Sequence, residues 1–142
     1  MMNRPFHLLP IAERFSYKEL ENRERQFLAK HRTLDSYLPT PAPRLQLSVV
    51  VPVYNEEKSI TVLLRCLEAQ SLAAEKFEVI VVNNNSNDRS SDEVIKFANK
   101  SRINVHLIEE LVLGCLRAVR TGMDLAVQRL NQVSPCNSGW IS

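Results

Sequence analysis

The chain has 142 residues, 44% hydrophobic and 24% charged, which is one domain's worth of ordinary soluble globular sequence. A net charge of +2 is too small to argue for nucleic acid, and no apolar run approaches the ~18–20 residues that span a bilayer. Cys66, Cys115 and Cys136 are odd in number and far apart, with no CxxC and no His at ligand spacing. That pattern argues against a disulfide framework or a zinc site and for free thiols in a reducing compartment.

Residues 1–44 hold eight Lys/Arg against five Asp/Glu, and the remainder ten against eleven, so the basic excess sits at the N-terminal end. The opening Met-Met-Asn-Arg-Pro-Phe-His has no apolar region long enough for a secretory signal. The expected location is cytoplasmic, with peripheral contact at the inner face of the membrane as an alternative. Within residues 13–35, Leu20, Phe27, Leu28 and Leu34 recur at near-helical intervals. One amphipathic helix is expected from Ser16, with Ser16 as N-cap and Glu19 completing a capping box. Leu38-Pro-Thr-Pro-Ala-Pro-Arg44 then makes an extended, semi-rigid linker. Two units follow from this: 1–44, helical extension and Pro-rich linker; 45–142, the domain proper.

Leu47–Val53 reads as a buried strand, with Pro52 near its end where a missing N–H is tolerable. Glu57–Gln70 is expected to be a helix with Ile60, Leu63, Leu64 and Leu67 on one face. Phe77–Val82 is a second strand. Ser90–Lys100 is a helix with Asp92 and Glu93 in its first turn, which suits the helix dipole. Ile103–Ile108 is a third strand, and Gly114 opens a longer helix to about Leu130. Trp140-Ile141-Ser142 has the pattern of an interrupted fourth strand. The order β-α-β-α-β-α predicts a parallel sheet wrapped by crossover helices.

Such a sheet presents its ligand site at the carboxyl ends of the strands. Here the first strand ends in Pro52-Val-Tyr-Asn-Glu-Glu57, with no glycine, and the whole chain has three glycines. A dinucleotide-binding glycine loop and a Walker A loop are therefore excluded. A nucleotide here is gripped by side chains. Tyr54 offers a ring for stacking, Asn55 and Glu56 offer acceptors, and Asn83, Asn84 and Asn85 offer amides to a base edge. Ser86, Asn87 and Asp88 form a turn and helix entry.

Val49-Val-Val-Pro-Val-Tyr-Asn-Glu56, then Glu78-Val-Ile-Val-Val-Asn-Asn-Asn-Ser-Asn-Asp88, then Gly114-Cys-Leu-Arg-Ala-Val-Arg-Thr-Gly-Met-Asp-Leu-Ala126 resemble the start of a family 2 glycosyltransferase. The resemblance covers roughly residues 46–142 and leaves 1–44 unexplained. It implies an α/β fold, a Rossmann-like parallel sheet of the GT-A type, incomplete at the C-terminus and preceded by the helical extension. It implies a UDP- or GDP-linked sugar donor, with Pro52, Tyr54 and Glu56 at the base and ribose, and Asn83 and Asn84 in the second-strand turn. Asn83 stands where the family has an acidic residue that contacts the base. In the third block Val119 departs from the family's Arg, and Arg120, with Arg117 as a further candidate, offers charge to the diphosphate.

The family's Mg²⁺ or Mn²⁺ is held by an Asp-x-Asp segment, and no Asp-x-Asp occurs in these 142 residues. The expectation is therefore a glycosyltransferase in family, truncated and without independent turnover, with no catalytic or metal-ligating residue assigned. The acceptor (polysaccharide, lipid or protein) is unspecified. A nucleotide-binding module without catalysis, or an interaction protein using the N-terminal helix, are the alternatives. A nucleic-acid partner and a transmembrane segment are not expected.

Overall fold

The computed structural model describes residues 38–133, together with helical residues at 18, 19, 21–23, 25 and 26. The described helical residues, among them Lys18, Glu21, Arg25 and Gln26, are all exposed. Ser16, the Leu20/Phe27/Leu28/Leu34 stripe, Cys136 and Trp140–Ser142 lie outside the described residues.

The domain alternates as expected: β1 (Leu47–Val53), α1 (Ile60–Ala69), a 3₁₀ turn (Ala74–Lys76), β2 (Phe77–Asn83), α2 (Ser90–Lys100), β3 (Asn104–Glu109) and α3 (Cys115–Val133). The three strands form one parallel sheet in the order β1-β2-β3. Leu47 stands opposite Phe77, and Val79 opposite Val105. Every residue of β2 is buried, because it has a strand on each side and helices on both faces. Pro52 sits in β1, which has a strand partner on one side among the described residues, where a strand proline is tolerated.

The period-2 alternation of the strands sorts the core into two faces. Val53, Phe77, Val79 and Val81 point to one side, under Ile60 and Leu64 of α1 and Val94 of α2. Ile80, Val82 and Ile108 point to the other, under Ala118, Leu125 and Ala126 of α3. A fully buried leucine such as Leu64 contributes about 2 kcal/mol by leaving water. After β3 the chain crosses back, so that α3 lies on β1 and β2. That reversal puts the carboxyl end of β1 at the place where an open α/β sheet forms its crevice.

Four local expectations are corrected. The first helix begins at Ile60, not Glu57, because residues 57–59 are held in a turn by bonds to the next loop: Glu57 N–H donates to Asp88 Oδ2 (3.1 Å), and Arg89 N–H donates to Glu57 Oε2 (3.0 Å). Leu63 is 42% exposed, while Ile60, Leu64 and Leu67 pack inward at spacings of four and three, so the buried stripe is narrower than expected. Ser90–Lys100 is helical as read, the third strand shifts to Asn104–Glu109, and the last helix begins at Cys115 and runs on to Val133.

The Pro-rich segment is fastened to the domain. Leu38 packs on the α3-side core, Pro41 and Leu45 are buried, and Gln46 N–H donates to Lys76 O (2.7 Å).

Candidate functional site

A cavity of about 380 Å³ opens at the carboxyl ends of β1 and β2, a volume suited to a small-molecule site. Pro52, Val53, Tyr54 and Glu56 form its β1 side. Asn84, directly after β2, stands at its back. Leu113, Gly114, Cys115 and Ala118 close the third side from the start of α3. Tyr54 lines the cavity and is 54% exposed, so much of its side chain faces solvent there. No disulfide ties Cys115, which is a free, exposed thiol.

The β1–α1 loop is laced to the β2–α2 loop. Asn55 and Asn85 both adopt left-handed backbone, φ 52° and 61°, which Asn tolerates better than most residues. Asn55 N–H donates to Ser86 Oγ (2.9 Å), and Asn87 N–H donates to Asn55 Oδ1 (2.7 Å). Glu56 N–H donates to Ser90 Oγ (2.8 Å). Ser90 Oγ–H, backed by the Ser90 and Glu57 amides, holds the Asp88 carboxyl below the usual range against a smaller opposing effect of burial. Ser59 Oγ–H donates to the Glu56 carboxylate, leaving that exposed side chain at the rim.

Of the candidate residues singled out in the sequence, Pro52, Tyr54, Glu56 and Asn84 line the cavity. Asn83 is buried behind it: Nδ2 donates to Ser91 Oγ (2.9 Å) and Glu109 Oε2 (2.8 Å), and Oδ1 accepts from Ser86 N–H (3.3 Å). Arg120 is half exposed on α3, with Nε 4.0 Å from Asp124 Oδ2, and is not among the lining residues. Gly114 was legible as the start of the third block. Its φ of +136° shows why glycine is needed there. Cys115 and Ala118 had no signal of their own, because nothing in the sequence tells which face of α3 meets β1.

A second polar cluster lies at the opposite end of the strands. Glu78 and Arg129 are 2% and 1% exposed. Arg129 Nε donates to both Glu78 oxygens (2.9 and 3.1 Å), and Nη2 to Oε2 (2.9 Å). Ser48 Oγ–H donates to Glu78 Oε1 (2.9 Å), His106 Nε2 lies 3.1 Å from Oε2, and Arg129 Nη1 donates to Pro39 O (3.0 Å). Burial pushes the Glu78 carboxyl up, but the bonds from His106, Arg129 and Ser48, with the Arg129 charge, outweigh it and hold it down to about 2.

Metal ligands are a different matter. Among the described residues no three His, Cys, Asp or Glu side chains come together, and Glu56 at the cavity is bonded to Ser59. The donor set here does not fit a divalent cation.

The glycosyl transferase family 2 pattern matches residues 48–130, the stretch that builds all three strands and most of α3. The chain belongs to that family. Among its relatives is the poly(ribitol-phosphate) β-N-acetylglucosaminyltransferase TarS of Staphylococcus aureus. It is 42% identical over 65 residues, which are 46% of this chain and 11% of TarS. An undecaprenyl-phosphate 4-deoxy-4-formamido-L-arabinose transferase of Pectobacterium atrosepticum is 38% identical over 85 residues, 57% of this chain and 25% of that protein. The chain thus spans a quarter or less of the length of these two relatives.

The crystal structure of S. aureus TarS 1–349 in complex with UDP superposes with a TM-score of 0.54 at 32% identity, over 58% of this chain and 24% of that one. The mannosyltransferase PcManGT of Pyrobaculum calidifontis, in complex with GDP-Man and Mn²⁺, has a TM-score of 0.54 at 26% identity, over 70% of this chain and 30% of that one. This family 2 glycosyltransferase domain is therefore α/β, with GT-A glycosyltransferases as structural neighbours.

Proposed function

We propose that this chain is the donor-binding part of a glycosyltransferase that moves a sugar from a UDP- or GDP-linked donor to an acceptor, by displacement at the anomeric carbon. The observation that carries the reading is the cavity at the carboxyl ends of β1 and β2, with Tyr54 lining it and Glu56 at its rim. Pro52 and Tyr54 take the base, Glu56 offers acceptors to the ribose hydroxyls, and Asn84 forms the back wall. Asn83 acts from behind, by holding the turn. Arg120 serves the diphosphate only by swinging away from Asp124. The UDP complex of TarS and the GDP-Man complex of PcManGT support the donor class.

The Mn²⁺ in the PcManGT complex supports a metal in the reaction, but the residues described here supply no set to hold it. These 142 residues alone are therefore proposed to bind a donor nucleotide without turning it over. Among the described residues no helix is long and apolar enough to cross a membrane. We place the protein in the cytoplasm, and at the inner membrane face if its acceptor is lipid-linked, as the name of the Pectobacterium relative suggests for that protein.

Calorimetric titration of the 142-residue chain with UDP and GDP tests the reading. Binding of either is expected, weakened about tenfold by Tyr54→Ala through loss of ~1–3 kcal/mol of stacking. No heat with either nucleotide overturns it.

A further inference from the structure

Asn84 lines the cavity, yet its amide is committed elsewhere. Nδ2 donates both hydrogens, to Glu110 O (2.9 Å) and Val112 O (2.8 Å), and Oδ1 accepts from Gly114 N–H (2.8 Å). The orientation of the amide is fixed by these partners. Flipped, it would set its oxygen against two carbonyls and its NH₂ against an N–H. Asn85 adds bonds from Nδ2 to Leu111 O (2.8 Å) and Glu110 O (3.3 Å). The buried Glu110 carboxylate closes the same loop, accepting from Val112 N–H (2.9 Å) and from Thr121 Oγ–H on α3 (2.7 Å). Glu110 N–H also donates to Asn83 O (2.8 Å).

The segment from Glu110 to Gly114 is thus tied to the end of β2 through the carbonyls of Glu110, Leu111 and Val112 and the amides of Glu110 and Gly114, and it delivers Leu113 and Gly114 to the cavity wall. We infer that Asn84 is a positioning residue, which builds the α3-side wall of the donor cavity by holding the Glu110–Gly114 loop, and that it does not select the base. With both donors spent, it has none for a base carbonyl. An aspartate in its place has no N–H at all and would face the Glu110 and Val112 carbonyls at hydrogen-bond distance, so the loop itself requires an amide here. The inference rests on the nucleotide reading of the cavity.

The two roles part in their response to Asn84→Asp. A residue that selects a base by accepting its N–H keeps that contact as aspartate. A residue that braces the loop loses two donors. Affinities for UDP and GDP are measured by calorimetry on the wild-type chain, Asn84→Asp, Asn84→Ala and Asn85→Gly, with amide exchange followed in parallel. Both Asn84 variants are expected to lose about tenfold or more for each nucleotide that the wild type binds. The UDP-to-GDP ratio stays within twofold. Exchange quickens at Val112 and Gly114 while the β2 amides remain protected. Asn84→Asp binding as well as wild type, or a ratio shifted tenfold by Asn84→Ala, overturns the inference and leaves the nucleotide reading standing. A wild-type chain that binds neither nucleotide overturns that reading, and this inference with it. If neither Asn84 variant folds, Asn85→Gly decides: it keeps the left-handed backbone, removes two bonds to the loop and leaves the cavity lining intact, and unchanged affinity there overturns the inference.

Discussion

A carboxylate placed in a strand of valines costs several kcal/mol unless its oxygens find partners. Glu78 meets that demand with Ser48, His106 and Arg129, each from a different element. Removing one partner strands the other charge, so Glu78→Gln is expected to lose about 3–5 kcal/mol in urea unfolding. Replacing both, as Glu78→Leu with Arg129→Met, should recover most of that loss, because the buried pair itself contributes little net stability. The pH dependence has a definite sign. The folded carboxyl sits at about 2, below its unfolded value of 4.5, so its contribution is fully present above 4.5 and is lost as pH falls toward 2. The unfolding midpoint should drop across that window, and Glu78→Gln should flatten the drop. The buried pair was not legible in the sequence. Glu78 and Arg129 are 51 residues apart, and only the packing of α3 on the sheet brings them together. Tyr54 and Glu56 were legible, since residues that end a buried strand have few other places to point.

At the scale of elements, α3 sits so close to the sheet that a methyl on Gly122 would overlap Val50 Cγ1 and crowd Val82 Cγ2. Gly122→Ala raises helix propensity by ~1 kcal/mol yet is expected to destabilise net by about 1–3 kcal/mol, because the contact is with two strand side chains that cannot move apart. Thermal unfolding measures the sign directly. The two glycines of the third block answer different demands: Gly114 its backbone angle, Gly122 the close approach to Val50. Periodicity found every strand and helix of the described domain. It misplaced the start of α1, because bonds from Asp88 and Arg89 fix residues 57–59 in a turn, and such bonds across 31 and 32 positions leave no periodic trace.

On the scale of the whole molecule, the segment before β1 is part of the fold. Arg129 Nη1 reaches Pro39 O, and Leu38 covers the α3-side core. Deleting residues 1–44 is expected to lower stability by about 2 kcal/mol, from one charge-assisted bond and some apolar cover, and calorimetric unfolding of the shortened chain checks it. Unchanged stability would instead favour a free extension available to a partner. The sequence by itself determined the alternation of strands and helices, the absence of a glycine-rich phosphate loop and the family. These depend on neighbours in the chain, on short-range periodicity and on strand-end motifs. Only the tertiary structure decided that Asn84 is spent on the Glu110–Gly114 loop, that Asn83 lies behind the cavity, and that Glu78 and Arg129 meet. Each of those depends on which groups folding brings within 3 Å, across separations that no local pattern encodes.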